Sequence, residues 1–316
     1  MFKLLANDGI DPIGKEILEK AGFTVDTQTV PQEQLAEALQ NYDALTVRSA
    51  TKVRKELINS CPNLKLIGRG GVGMDNIDVD YARNKGIAVV NTPAASSLSV
   101  AELVFAHLFT GVRFLQDANR AMPSKGATAF NDLKKAYAKG IELHGKTIGI
   151  IGFGRIGKET AKIALGLGMD VLAYDFSPIP ETLPLVFSSG IEVNLPVKGV
   201  TFETLLAESD FIILHVPFTD KPIIGAAEFA QMKNGAALVN CSRGGTVDET
   251  ALLAALDSGK LAFAGLDVFD NEPTPRQDLL SHPKISLSPH IGASTNEAQE
   301  RIGTELAQLI IDHFKH

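Results

Sequence analysis

The sequence predicts an α/β protein made of two doubly wound parallel-sheet domains, one inserted into the other. Three observations predict it. Short apolar runs alternate with helix-length stretches from residue 2 to about residue 93, as sheet strands and covering helices do. A second series of the same kind runs from 147 to 288. Between the two lies one long helical stretch, and the chain closes on another helix after residue 294.

In the first series, strands are expected at 2–6, 23–29, 44–48, 64–68 and 88–91, all rich in Leu, Ile and Val. Asp11 and Pro12 supply an N-cap and first helical residue for a helix ending near Gly22, and Pro31 opens the next, to about Asn41. A capping box at Ser99 and Glu102 starts a long helix predicted to reach Asn119, leading into an irregular polar stretch over 116–145.

The second series places strands at 147–151, 170–174, around Glu192, and at 211–215, 237–240, 263–267 and 285–288. Another capping box, at Ser294 and Glu297, starts the closing helix, whose Ala298, Ile302, Leu306, Leu309 and Ile310 share a face. That helix is expected to return to the first sheet. The reading is therefore a discontinuous domain of residues 1–96 and 289–316, interrupted by a second of 97–288, with a cleft at the carboxyl ends of both sheets.

Residues 146–157 form the most informative segment. The apolar run 147–151 suits a buried parallel strand, and Gly152, Gly154 and Gly157 follow at the spacing Gly-x-Gly-x-x-Gly where a helix should begin. Gly152 permits a tight turn, Gly154 lets backbone approach a pyrophosphate, and Gly157 lets the helix pack on its strand. Asp175 lies 18 residues beyond Gly157, at the end of the next strand, where a carboxylate accepts hydrogen bonds from ribose hydroxyls. A 2′-phosphate would meet its like charge, and residues 176–180 contain no arginine to offset it. The cofactor expected is NAD, and the second domain is expected to be a Rossmann unit.

With 37 acidic against 30 basic residues the net charge is −7, and no basic cluster extends beyond a few residues. Neither a nucleic acid nor an anionic membrane is expected as partner. The N-terminal apolar run is too short for a signal-peptide core and no 18-residue apolar run occurs, so a cytoplasmic location is expected. Cys61 and Cys241 are too few for a disulfide framework, and no Cys/His spacing suggests a metal.

Three segments at strand ends carry polar groups that folding does not require: 240–245, 267–273 and 288–294. Arg243 offers a two-pronged contact to a carboxylate or keto oxygen. His290, after an apolar strand and a proline, displays an imidazole, the side chain suited to proton transfer near neutral pH. Glu272 is its expected partner, orienting the ring. This set suits hydride transfer at a 2-hydroxy acid, with His290 exchanging the hydroxyl proton and Arg243 polarising the carbonyl.

Together with 47–53 and 67–78, these segments make the chain similar to the D-isomer-specific 2-hydroxyacid dehydrogenase family along nearly its whole length. The resemblance implies a Rossmann NAD domain inserted in a flavodoxin-like substrate domain, and a homodimer joined through the helix from Ser99. It implies catalytic roles for Arg243, Glu272 and His290. It implies cofactor contacts at Val72, Arg155, Ile156, Asp175, His215, Pro217, Cys241, Asp267 and Gly292. Members that oxidise 3-phospho-D-glycerate to 3-phosphohydroxypyruvate, the entry to serine synthesis, are similar at Arg48 and Arg69. Two guanidinium groups there are expected to hold a phosphate, with Gly70 and Gly71 giving backbone N–H groups to the substrate carboxylate. Lys134 and Lys135 stand where many such members carry tryptophan and arginine. The chain stops at His316, so the serine-binding regulatory modules of many relatives are not expected. Other 2-hydroxy or 2-oxo acids, such as glyoxylate, hydroxypyruvate or 2-oxoglutarate, are the alternative substrates. An NAD-sensing binding protein, like the C-terminal-binding-protein corepressors of the family, is the alternative class.

Overall fold

The computed structural model describes residues 2–315. The chain divides into two compact units, Met1–Ser99 with Ala293–His316, and Val100–Gly292. The expected junctions at 96/97 and 288/289 lie just upstream of these breaks.

The first unit holds five parallel strands, β1 (Lys3–Ala6), β2 (Thr24–Asp26), β3 (Ala44–Val47), β4 (Leu66–Arg69) and β5 (Ala88–Asn91). Their order, β2-β1-β3-β4-β5, is the flavodoxin-like one. Both faces are covered, which is why the strands read as continuous apolar runs. Leu5, Leu45, Val47 and Ile67 face one core. Leu4, Ala6, Ala44 and Leu66 face the other, against Leu306, Ala307, Ile310 and Ile311 of the closing helix Asn296–Lys315. That helix crosses Pro12–Lys20 at Gly14 and Gly303, where a Cβ on Gly14 would lie 2.6 Å from the Gly303 carbonyl oxygen. Asp11 caps the earlier helix by accepting the Ile13 N–H at 3.0 Å. The expected strand 23–29 shrinks to three residues, because Asp26 turns back to accept the Gln28 N–H.

The second unit holds a seven-stranded parallel sheet: β6 (Thr147–Ile151), β7 (Asp170–Tyr174), β10 (Lys198–Gly199), β11 (Phe211–Leu214), β12 (Ala236–Asn240), β13 (Leu261–Leu266) and β14 (Ile285–Leu287). β8 (Thr182–Val186) and β9 (Glu192–Pro196) form a separate antiparallel hairpin, and the strand expected near Glu192 belongs to it. The sheet order is β10-β7-β6-β11-β12-β13-β14. It reverses between β6 and β11, the point at which open α/β sheets bind ligands outside their carboxyl ends.

The helix Ser97–Val112 drives Val104, Phe105 and Leu108 into this unit's core. It starts two residues before the expected Ser99 and ends before the expected Asn119, broken where Phe114 takes φ 53°. Beyond it, the stretch expected to be irregular forms two helices, Leu115–Lys125 and Phe130–Ala136. Neither buries a residue, so neither carries the apolar periodicity that announces a helix. The closing helix is capped by Thr295, whose hydroxyl accepts the Ala298 N–H at 3.2 Å, one residue after the expected Ser294. Among the described residues no single helix is long and apolar enough to cross a membrane.

Candidate active site

Dinucleotide chemistry begins at the end of β6. Gly152 takes φ 92°, and a Cβ there would overlap the His215 carbonyl oxygen at the end of β11. A Cβ on Gly157 would overlap the Gly152 carbonyl oxygen, while one on Gly154 would meet nothing within 4 Å. The first and third glycines close the turn onto the helix Arg155–Gly166, and the second leaves its mouth open. That open edge at a helix N-terminus fits a pyrophosphate. Arg155 is exposed and Ile156 half-buried beside it. Asp175 follows β7 and ties it to the loop: Oδ2 accepts the Phe153 N–H at 2.6 Å and Oδ1 the Ser177 N–H at 2.8 Å. His215 faces inward, with Nε2 2.8 Å from Thr160 Oγ1 and Nδ1 shut from solvent. Burial pushes it down to about 3, so the ring is neutral. Pro217 is exposed just beyond.

The expected catalytic residues converge at the ends of β12, β13 and β14. Glu272 and His290 meet at 2.7 Å between Oε2 and Nδ1. Glu272 Oε1 accepts the Phe269 N–H at 2.9 Å, fixing the carboxylate from its own loop. The Arg243 loop is held by Asn240, whose side chain donates to the Arg243 carbonyl at 3.0 Å and accepts the Ser242 N–H at 3.0 Å. A Cβ on Gly244 would overlap the Phe269 carbonyl oxygen, so the Arg243 loop lies directly on the Glu272 loop. Burial acts to raise the Glu272 carboxyl. The hydrogen bonds from His290 and Phe269, with the nearby Arg243 charge, outweigh it and hold the group below the usual carboxylate range.

His290 itself takes φ 53°, a backbone region that residues other than glycine adopt rarely and that clusters at functional sites. Asp267, 1% exposed, holds it there. Its carbonyl accepts the His290 N–H at 2.8 Å, and its carboxylate accepts those of Ile291 at 2.8 Å and Gly292 at 2.9 Å. These bonds explain why the 288–292 segment divides with the second unit. Cys241 is buried nearby, and burial with the Asp267 charge raises its thiol well above the usual value, so it stays protonated.

In the first unit, Arg48 and Arg69 end the neighbouring strands β3 and β4 and meet at the glycine-rich segment after β4. A Cβ on Gly70 would lie 3.8 Å from Arg48 Cγ, and one on Gly71 would overlap the Arg69 guanidinium. The Arg48 backbone is fixed by Asp8, which accepts its N–H at 2.6 Å, and by Asn76, which donates to its carbonyl at 2.8 Å. Thr92 accepts the Gly71 N–H at 2.8 Å, and Asn91 donates to the Val72 carbonyl at 2.7 Å. Lys134 and Lys135 end the exposed helix Phe130–Ala136. The sequence does not single out Asp8, Thr92 or Thr160, and within the expected segments it does not separate Asn76 and Asn240 from their neighbours. Their roles arise from hydrogen bonds across the fold, and their residue types are common in loops.

A dinucleotide-binding sheet that displays an imidazole–carboxylate pair and an arginine at adjacent strand ends defines a hydride-transferring dehydrogenase of small acids. The chain belongs to the D-isomer specific 2-hydroxyacid dehydrogenases, whose NAD binding domain matches residues 105–292, and it is an NAD-dependent member. It is 44% identical to a hydroxypyruvate reductase of Thermotoga maritima over 98% of this chain and 97% of that one. It is 42% identical to a D-3-phosphoglycerate dehydrogenase of Methanocaldococcus jannaschii, matching 98% of this chain but 57% of that protein's length. The fold is similar to that of D-lactate dehydrogenase from Aquifex aeolicus complexed with NAD and lactic acid, with TM-score 0.79, 30% identity and coverage of 99% and 95% of the two chains.

Proposed function

We propose that this protein oxidises 3-phospho-D-glycerate to 3-phosphohydroxypyruvate, the entry to serine synthesis. The observation that carries the reading is the pair Arg48 and Arg69 at the ends of the neighbouring strands β3 and β4, both against the Gly70–Gly71 segment, two cations suited to a phosphate dianion. Similarity to D-3-phosphoglycerate dehydrogenases over 98% of the chain supports it.

Gly152, Gly154 and Gly157 are assigned the pyrophosphate, Arg155 and Ile156 the adjoining backbone, and Asp175 the adenosine ribose. Val72, His215, Pro217, Cys241, Asp267 and Gly292 are assigned the remaining cofactor contacts. Bound NAD supplies the hydride acceptor. Glu272 accepts a hydrogen bond from the Nδ1–H of His290, which leaves Nε2 to remove the hydroxyl proton as the carbonyl forms. Arg243 polarises the oxygen whose bond order changes. The N–H groups of Gly70 and Gly71, expected to hold the substrate carboxylate, are instead given to the Val47 carbonyl at 2.9 Å and the Thr92 hydroxyl at 2.8 Å. In the reverse direction protonated His290 returns its proton to that oxygen. The active protein is a homodimer, to be checked by light scattering.

A second reading, reduction of hydroxypyruvate or glyoxylate, rests on the Thermotoga relative, which matches nearly end to end. Steady-state rates with a panel of 2-hydroxy and 2-oxo acids separate the two. A preference in kcat/KM for the phosphorylated acid is expected. Equal or better use of unphosphorylated acids overturns the assignment.

A further inference from the structure

The mechanism above leaves the buried imidazole of His107 without a task. His107 lies on the core face of Ser97–Val112 among Val104, Phe105 and Leu108, and is 3% exposed. Its Nδ1 lies 2.8 Å from Ser286 Oγ and its Nε2 2.9 Å from Ser288 Oγ. Ser288 Oγ in turn lies 2.6 Å from Asp267 Oδ1. The sheet makes room for the ring: a Cβ on Gly265 would come within 2.6 Å of the His107 Cβ. A glycine thus stands on β13 two residues before Asp267, where the helix presses in.

One carboxylate sets the direction of every proton in this chain. Ionised Asp267 only accepts, so Ser288 must donate to it and is left to accept from His107 Nε2–H. The neutral ring then has its lone pair on Nδ1, which accepts from the Ser286 hydroxyl. Asp267 is the same residue whose carbonyl and carboxylate hold the N–H groups of His290, Ile291 and Gly292. Ser286, His107 and Ser288 therefore fix the rotamer of the carboxylate on which the His290 turn hangs. Without them the Asp267 carboxylate keeps only the Ile291 and Gly292 N–H groups, and the turn that carries His290 at φ 53° loses part of the support that overrides its backbone preference.

We infer that His107 is a positioning residue for the reaction, a buried support acting on His290 through Ser288 and Asp267. The inference rests on the reading of His290 as the acid and base. His107→Leu fills the site with an apolar group of similar size and removes both hydrogen bonds. His107→Gln keeps a donor and an acceptor at nearly the same spacing. Each variant is compared with wild type for kcat and KM on the best acid of the substrate panel, and for NAD affinity by fluorescence titration.

His107→Leu is expected to lower kcat about tenfold to a hundredfold, as small misplacements of a reacting group do, with KM little changed and NAD affinity, to which Asp267 is also assigned, reduced far less than kcat. His107→Gln is expected to recover most of the loss. Wild-type kcat in His107→Leu, alongside an inactive His290→Ala, overturns the inference and leaves the site intact. Equal loss in kcat, KM and NAD affinity, with no recovery in His107→Gln, also overturns it, since that pattern belongs to a general packing role. Turnover by His290→Ala at the wild-type rate removes the reading on which it stands. If His107→Leu does not fold, Ser288→Ala carries the test: a selective loss of kcat supports the chain, and an unchanged kcat refutes it.

Discussion

Arg69 folds its guanidinium over the α-carbon of Gly71, and a substrate comparison separates a phosphate contact there from an ion pair. A charge-assisted contact to phosphate contributes about 1.5–3 kcal/mol. Arg69→Ala is therefore expected to raise KM for 3-phospho-D-glycerate about tenfold to a hundredfold while an unphosphorylated acid is scarcely affected. Equal losses on both substrates would mark the arginine as structural. At this scale the juxtaposition of Arg243, Glu272 and His290 is legible because each lies in a segment that follows an apolar strand, where a polar side chain has no folding task. The roles of His107, Asp8 and Thr92 are not. A lone histidine on an apolar helix face reads as core, and only the fold reveals that Ser286 and Ser288 flank it.

Among the elements, the loops after β12 and β13 act as one piece, because Gly244 lies against the Phe269 backbone. Gly244→Ala should push the Arg243 loop off the Glu272 loop at a cost of about 1–3 kcal/mol, the usual range for overpacking. A lowered midpoint in urea together with reduced kcat is the expected result; an unchanged midpoint would mean that the two loops do not depend on each other. The sheets themselves could be read from sequence, since parallel strands covered on both faces are near-continuous apolar runs. The helices Leu115–Lys125 and Phe130–Ala136 could not, because they bury no residue and the first contains Pro123. Competing caps explain the smaller shifts: Ser294 and Thr295 are both capable, and the hydrogen bond to Ala298 decides for Thr295.

For the whole molecule, buried neutral histidines set the acid limit of stability. Burial pushes His215 down to about 3 and lowers His107 against the raising pull of Asp267, whereas an unfolded histidine titrates near 6.5. Between those values the unfolded chain binds more protons, so the stabilisation is complete above about pH 6.5 and is lost as the pH falls towards about 3. Asp43, Asp210 and Glu272 are held below the usual carboxylate range, so their contributions are present above the unfolded carboxylate values of about 4 and are lost as the pH falls below them. Thermal melting is expected to be level above about pH 6.5 and to decline steadily below it, with a shallower decline in His215→Gln. A melting temperature level down to pH about 4, where ordinary carboxylates titrate, would contradict this.

Proton exchange by His290, oriented by Glu272 beside Arg243, is the central step of the proposed reaction. Its most direct test is the turnover of His290→Ala measured with NAD affinity on the same preparation. The prediction is a kcat lowered about a hundredfold to ten-thousandfold, the usual contribution of a general acid and base, with NAD bound as in wild type. Turnover close to wild type would contradict it.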